Sequence, residues 1–142
     1  MTIAAILGNK GRDVIYVSPT QTVMEAIALL AQHRIGAVPV IDGGKVVGVF
    51  SERDVIHGLI AGDTSTLQRP VAETMTTPAL TVTPAEPVLA ALSLMTRRRI
   101  RHLPVVEDGR IIGIVSIGDL VKYRIEKIEA DAAAMREYIQ QA

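Results

Sequence analysis

The chain contains no cysteine and no tryptophan. The first absence removes disulfides, thiolate metal sites and cysteine nucleophiles together. Aromatic side chains are confined to Tyr16, Phe50, Tyr123 and Tyr138 although 49% of the residues are hydrophobic, so a core has to be assembled from Val, Ile, Leu and Ala. Neither sign of charge is in excess, because 15 Lys and Arg balance 15 Asp and Glu. General nucleic-acid binders and polybasic membrane-surface proteins carry a surplus of cations, so neither nucleic acid nor membrane is expected as a partner. No apolar run approaches the ~20 residues that cross a bilayer. The stretch MTIAAILGNKG also lacks the basic start, long apolar core and cleavage site of a secretory leader. The expectation is a soluble, cytoplasmic protein, whose 142 residues form one compact module.

Catalytic constellations are missing as well. His33, His57 and His102 have neither a paired metal-ligand spacing nor a linked nucleophile and acid, and no long glycine-rich phosphate loop is present. Neither an enzyme nor a metal site is expected.

What the chain does have is a repeat. Gly48 to Asp54 reads GVFSERD and Gly113 to Asp119 reads GIVSIGD, 65 positions later. The same offset pairs Pro19 with Pro84, Pro39 with Pro104, and Gly44 with Gly109. Such self-similarity marks one unit used twice. In the first copy, Val14 to Val17 is β-branched and aromatic, a strand candidate. Thr22 and Glu25 have capping-box spacing, and Val23, Ala26, Ile27 and Leu30 form one helical face ending near Arg34. Ala37 to Ile41 and Val46 to Phe50 flank the turn Asp42-Gly43-Gly44-Lys45 and read as a hairpin, followed after Ser51 by a helix to about Ala61. Gly62 to Arg69 reads as a linker.

The second copy repeats this order with Leu80 to Val82, a helix through Val88, Ala91, Leu92 and Met95, a hairpin of His102 to Val106 and Ile111 to Val115, and a closing helix. Two short helices, over Thr2 to Leu7 and Val71 to Met75, precede the copies. The predicted fold class is α/β, with two pseudo-twofold related β-α-β-β-α units, a short N-terminal helix and a long C-terminal helix. Residues 1–68 hold the first repeat with the N-terminal helix, 69–122 the second, and 123–142 a helical extension. Each unit leaves one sheet face to be covered, so the two should pack together with a groove between them and two candidate sites related by the axis. In the extension, Val121, Ile125, Ile128, Ala132, Met135 and Ile139 follow the 4-3-4-3-4 spacing of a heptad seam. A dimer contact is expected there, the plainer role being a helix lying on its own domain.

A strand that ends at Ser51 or Ser116, with a helix directly after it, offers unpaired amides and a hydroxyl to an anion. Asp54 and Asp119 stand one turn further on, where a carboxylate can accept from the vicinal hydroxyls of a ribose. The plainer reading is an N-cap serine with a favourable first-turn acid. The units differ in their cations. Arg101 and His102 open one strand where Gly36 and Ala37 open the other, and Arg53 stands where the second copy has Gly118. Cations suit phosphates, whereas glycine and alanine let a flat base approach the backbone.

Paired β-α-β-β-α units, each with an apolar-Pro-Val strand and a G-h-h-S-x-x-D ending from about Val14 to Lys122, resemble a tandem pair of CBS domains, also called a Bateman module. The resemblance implies a regulatory module that binds adenine nucleotides such as AMP, ADP or ATP, or alternatively NAD(H) or S-adenosylmethionine, and commonly forms a disc-shaped homodimer. It gives Asp54 and Asp119 the ribose, and Ser51 and Ser116 the phosphate. Adenine would lie near Gly36 and Ala37, with Val14 and Ile15 close by, in the site that Asp119 closes. Leu80 and Arg101 would face the site that Asp54 closes. The family often has His-Arg before its Leu-Pro-Val strand, and here the order is Arg101-His102, which leaves the phosphate contacts of each open. The expected function is a ligand sensor that transmits occupancy to a protein partner. A constitutive dimerising scaffold is the alternative.

Overall fold

The computed structural model describes residues 1–141. Helix α1 spans Ile3–Lys10, α2 Val23–His33, α3 Glu52–Gly62, α4 Val88–Arg98 and α5 Ile117–Gln141. Strands β1 (Ala37–Asp42) and β2 (Lys45–Ser51) form one antiparallel hairpin, and β3 (His102–Glu107) and β4 (Arg110–Ser116) the other. The two-residue turns have positive φ at Gly43 and Gly44 and at Asp108 and Gly109, the geometry that matches the twist of the flanking strands. The linker is a 3-10 helix over Asp63–Gln68, followed by a second over Val71–Glu73.

Helices stop and start as the local chemistry dictates. Thr22 Oγ1 accepts the Glu25 amide at 3.1 Å, but the Glu25 carboxylate accepts from Gln21 Nε2, so only half of the expected capping box forms. Helices α2 and α4 both end on a left-handed arginine, Arg34 and Arg99.

The first strand of each unit is reduced to a single parallel bridge, Val17 to Val40 and Val82 to Val105. The Val17 amide donates to the Pro39 carbonyl and the Ile41 amide to the Val17 carbonyl. The next ladder bonds on either side would need the amide hydrogens of Pro39 and Pro19, which do not exist. Pro104 and Pro84 impose the same limit on Val82. Four prolines therefore trim the expected three-stranded sheets to hairpins with one bridge each.

Two apolar cores result. One gathers Val17, Val23, Ala26, Leu30, Val38, Val40, Phe50 and Val71, and the other Val82, Val88, Ala91, Met95, Leu103, Val105, Val115 and Leu120 with Ile3, Ile6 and Leu7. Helix α1 thus packs in the second unit's core, while Val71, from the segment opening the second copy, packs in the first. The boundary at residue 68 divides the sequence, but the opening segments are exchanged in space. The β2 and β4 strands lie against each other where the units meet.

Leu120 is the only buried residue of α5, and every residue from Ile125 to Gln141 is exposed. Tyr123 still rests on the second core, but from Ile125 to Gln141 the helix does not lie on its own domain.

Candidate functional site

Both serines act as N-caps. Ser51 Oγ accepts the Asp54 amide at 3.4 Å while Asp54 Oδ2 accepts the Ser51 amide at 2.9 Å. At the second junction, Ser116 Oγ accepts the Asp119 amide at 3.1 Å and Asp119 Oδ2 accepts the Ser116 amide at 2.8 Å. These reciprocal bonds satisfy the first orphan amides of α3 and α5.

Beyond the caps the two aspartates diverge. Asp54 is buried, takes a further bond from Ser51 Oγ at 3.1 Å, and has its Oδ1 occupied by Thr76 Oγ1 at 2.9 Å. Thr76 is set there by paired backbone bonds with Val49 of β2. Asp119 is partly open and its Oδ2 is shared with Lys10 Nζ at 2.5 Å, the same ammonium donating to the Ile114 carbonyl at 2.8 Å. Its Oδ1 has no hydrogen-bond partner among the described residues, so this is the carboxylate oxygen open to a ligand hydroxyl. Burial pushes the Asp119 carboxyl up, but the Lys10 bond and charge and the Ser116 donors outweigh it and hold the group below the usual carboxylate range.

His102, which opens β3 of the second unit, reaches Gly36 at the start of β1. Its Cε1 lies 3.6 Å from where a Cβ on Gly36 would project, and the Glu52 carboxyl carbon lies at the same distance. Burial, first, and the charges of Lys10 and Arg101 push the imidazole below its ordinary range, partly offset by Asp119 and Glu52. Gly36, Glu52, Lys10, His102, Ser116 and Asp119 therefore form one mixed-charge cluster spanning both units. The Gly36 carbonyl accepts the Glu52 amide at 3.0 Å and the Arg101 carbonyl accepts the Ile117 amide at 2.8 Å, so each strand entrance is fastened to the helix that follows its hairpin.

The remaining expected residues fall into place less directly. Ala37 is buried beside Gly36 at the start of β1, and Val14 and Ile15 are half-buried, Ile15 against the first core. Leu80 packs on the second core, and Arg101 is exposed. Arg53 spends Nη1 on the Arg99 carbonyl at 2.9 Å, joining α3 to the end of α4 across the units. Glu52, Lys10 and Thr76 were not anticipated. Lys10 and Thr76 come from the opening segments, which reach the opposite unit, and only the exchange of those segments reveals them. A hollow of about 690 Å³, lined by α2, α3, Gly36 and Glu52, opens beside the cluster on the first unit.

The duplicated hairpins, the twin capped aspartates and the pairing of the units are matched by one known family. The CBS domain pattern fits residues 10–61 and again 71–126. The chain belongs to the CBS-domain family. It is similar to the CBS domain-containing protein YhcV of Bacillus subtilis, 36% identical over 121 residues that cover 85% of this chain and 86% of that one. Among solved structures, a CBS-domain-containing protein from Agrobacterium tumefaciens superposes with a TM-score of 0.83 at 39% identity, covering 87% of this chain and 99% of that one. The CBS domain pair of protein MJ0100, in complex with 5-methylthioadenosine and S-adenosyl-L-methionine, gives 0.78 at 28% identity, over 89% of this chain and 98% of that one. The present chain is thus a CBS pair with flanking helices, and no helix among its described residues is long and apolar enough to cross a membrane.

Proposed function

We propose that this CBS pair is a regulatory sensor, not an enzyme, which binds an adenine nucleotide of the AMP, ADP or ATP class between its repeats and signals occupancy to a protein partner. The observation that carries the reading is the approach of His102 to the side-chain-free backbone at Gly36, with Lys10 and the Asp119 carboxylate, whose Oδ1 is open, paired nearby and acting on that imidazole through their charges. These offer a face for a base, an acceptor for ribose hydroxyls and donors for phosphate. The adenosine groups held by MJ0100 support the ligand class. A nucleotide touching both units favours one relative orientation by its differential affinity, and that shift is the signal. NAD(H) shares the adenosine half and is the variant reading. A homodimer belongs to the same account, supported by apolar residues left exposed at matching places on α3 and α5: Ile56 and Ile60, Val121 and Ile125.

The second reading, a constitutive scaffold, is favoured by Asp54, whose two oxygens are both engaged inside the protein. A thermal-shift panel of AMP, ADP, ATP, NAD(H) and S-adenosylmethionine separates the two. A ligand at a hundred times its dissociation constant stabilises the fold by about 2.7 kcal/mol. A panel in which no compound raises the melting temperature leaves the scaffold.

A further inference from the structure

From Ile125 to Gln141 helix α5 carries seventeen consecutive exposed residues, and the ion pair found there, Lys127 to Asp131, stays within the helix. An isolated helix of that length is marginal in water, so its stability has to come from a partner covering its apolar side. That side is continuous. Ile125, Ile128, Met135 and Ile139 are 50%, 51%, 59% and 63% exposed, with Ala132 between them at heptad spacing.

The charges flanking this seam say what covers it. With Ile125, Ala132 and Ile139 at a positions and Val121, Ile128 and Met135 at d, the g positions hold Arg124, Asp131 and the uncharged Tyr138, and the e positions hold Lys122, Glu129 and Arg136. In a parallel in-register pair each g residue faces the e residue five positions on in the other helix. Arg124 then meets Glu129, and Asp131 meets Arg136, twice each by symmetry. In the antiparallel register that pairs all six core positions, Glu129 faces its own copy, Asp131 faces its own copy, and Lys122 faces Arg136. Every charged pair attracts in the first arrangement and repels in the second. Asp131 also lies 3.5 Å from Lys127 within its own helix, which leaves a carboxylate oxygen for Arg136.

We infer that the occupant is the α5 helix of a second copy of this chain, wound parallel and in register as a short two-stranded coiled coil. This builds on the homodimer of the proposed function and is independent of whether a nucleotide binds.

The absence of cysteine makes the test direct. In the full chain, Ile128→Cys and Ala132→Cys should each oxidise to a covalent dimer, because equivalent core positions face each other within disulfide reach, while Glu126→Cys on the outer face should not. Glu129→Lys should weaken the dimer about fivefold or more in sedimentation, since two attractive pairs become repulsive, and Glu129→Lys with Arg124→Glu should restore it. Failure of both core cysteines to crosslink overturns the inference. If sedimentation still shows a dimer, the homodimer stands on another surface, and a monomer removes both. Crosslinking confined to a mixture of Ile125→Cys and Met135→Cys chains reverses the helix direction and also overturns it.

Discussion

Leu7 Cδ2 lies 2.7 Å from where a Cβ on Gly113 would project, so the helix that opens the chain is seated directly on the strand that closes the second hairpin. Met75 Sδ stands at the same distance from the corresponding position on Gly48. Each unit thus presents a bare glycine to a side chain delivered by the other unit's opening segment. This exchange holds the two halves together and brings Lys10 and Thr76 to the aspartates.

Alanine at these glycines tests the exchange. At Gly48 the added methyl would also meet the Thr76 carbonyl at 2.8 Å, a backbone atom that cannot swing aside, whereas at Gly113 only Leu7 must yield. Gly48→Ala should cost about 2–3 kcal/mol and Gly113→Ala less, by the usual scale of overpacking. Gly8 lies in α1 with open space around it, and Gly8→Ala should stabilise by about 0.5–1 kcal/mol. Urea unfolding gives the order, and equal losses at Gly48 and Gly113 would speak against it.

Asp54 and Asp119 should separate in stability before any ligand is added. Asp54→Ala strands two donors of Ser51 and the Thr76 hydroxyl around a buried site, and should destabilise by about 2–3 kcal/mol. Asp119→Ala exposes its lost partners to water and should cost about 1 kcal/mol, the worth of a cap. Equal losses would mean that the two junctions are energetically alike.

The repeat made most of this architecture legible in the sequence. The GVFSERD and GIVSIGD endings placed both hairpins and both capped helices, with an aspartate in the first turn of each. The first strands were overestimated because Val14 to Val17 has the right composition, while the limit comes from prolines on two different segments whose pairing only the topology shows. The site was half legible. Gly36, Ser116 and Asp119 follow from the repeat, but Lys10 and Thr76 arrive from segments that pack against the opposite unit, and local pattern carries no signal of that. His102 could be named but not assigned to a site, since its side depends on how the two strand entrances meet.

The Lys10 to Asp119 pair predicts a specific acid response. The folded-state value of Asp119 is depressed, so its contribution is present above the ordinary carboxylate range and is lost as pH falls through the folded value. Lys10→Met removes the bond and the charge that depress it and leaves burial, which acts the other way. The variant should be less stable at pH 7 and lose less stability on acidification than the parent. Superimposable urea profiles from pH 7 to 3 would show that the pair contributes nothing.

His102 reports on phosphate. With its folded-state value lowered, it is neutral at pH 7, and the stability tied to that state is lost as pH falls from the ordinary 6.5 through the folded value. An anion beside the ring favours the protonated form, so AMP should move the His102 titration upward in an NMR pH series and bind more tightly as pH falls from 7.5 to 6. A titration indifferent to AMP would place the phosphate elsewhere.

The most direct test of the central claim is a calorimetric titration of AMP into the parent chain, Gly36→Ala and Asp119→Asn. An alanine methyl at Gly36 meets only ordinary contacts at 3.6 Å, so the fold should be unharmed while the surface offered to the base is blocked. The account predicts binding to the parent and a loss of at least tenfold in affinity, or of one site, in each variant. Three identical isotherms would contradict it.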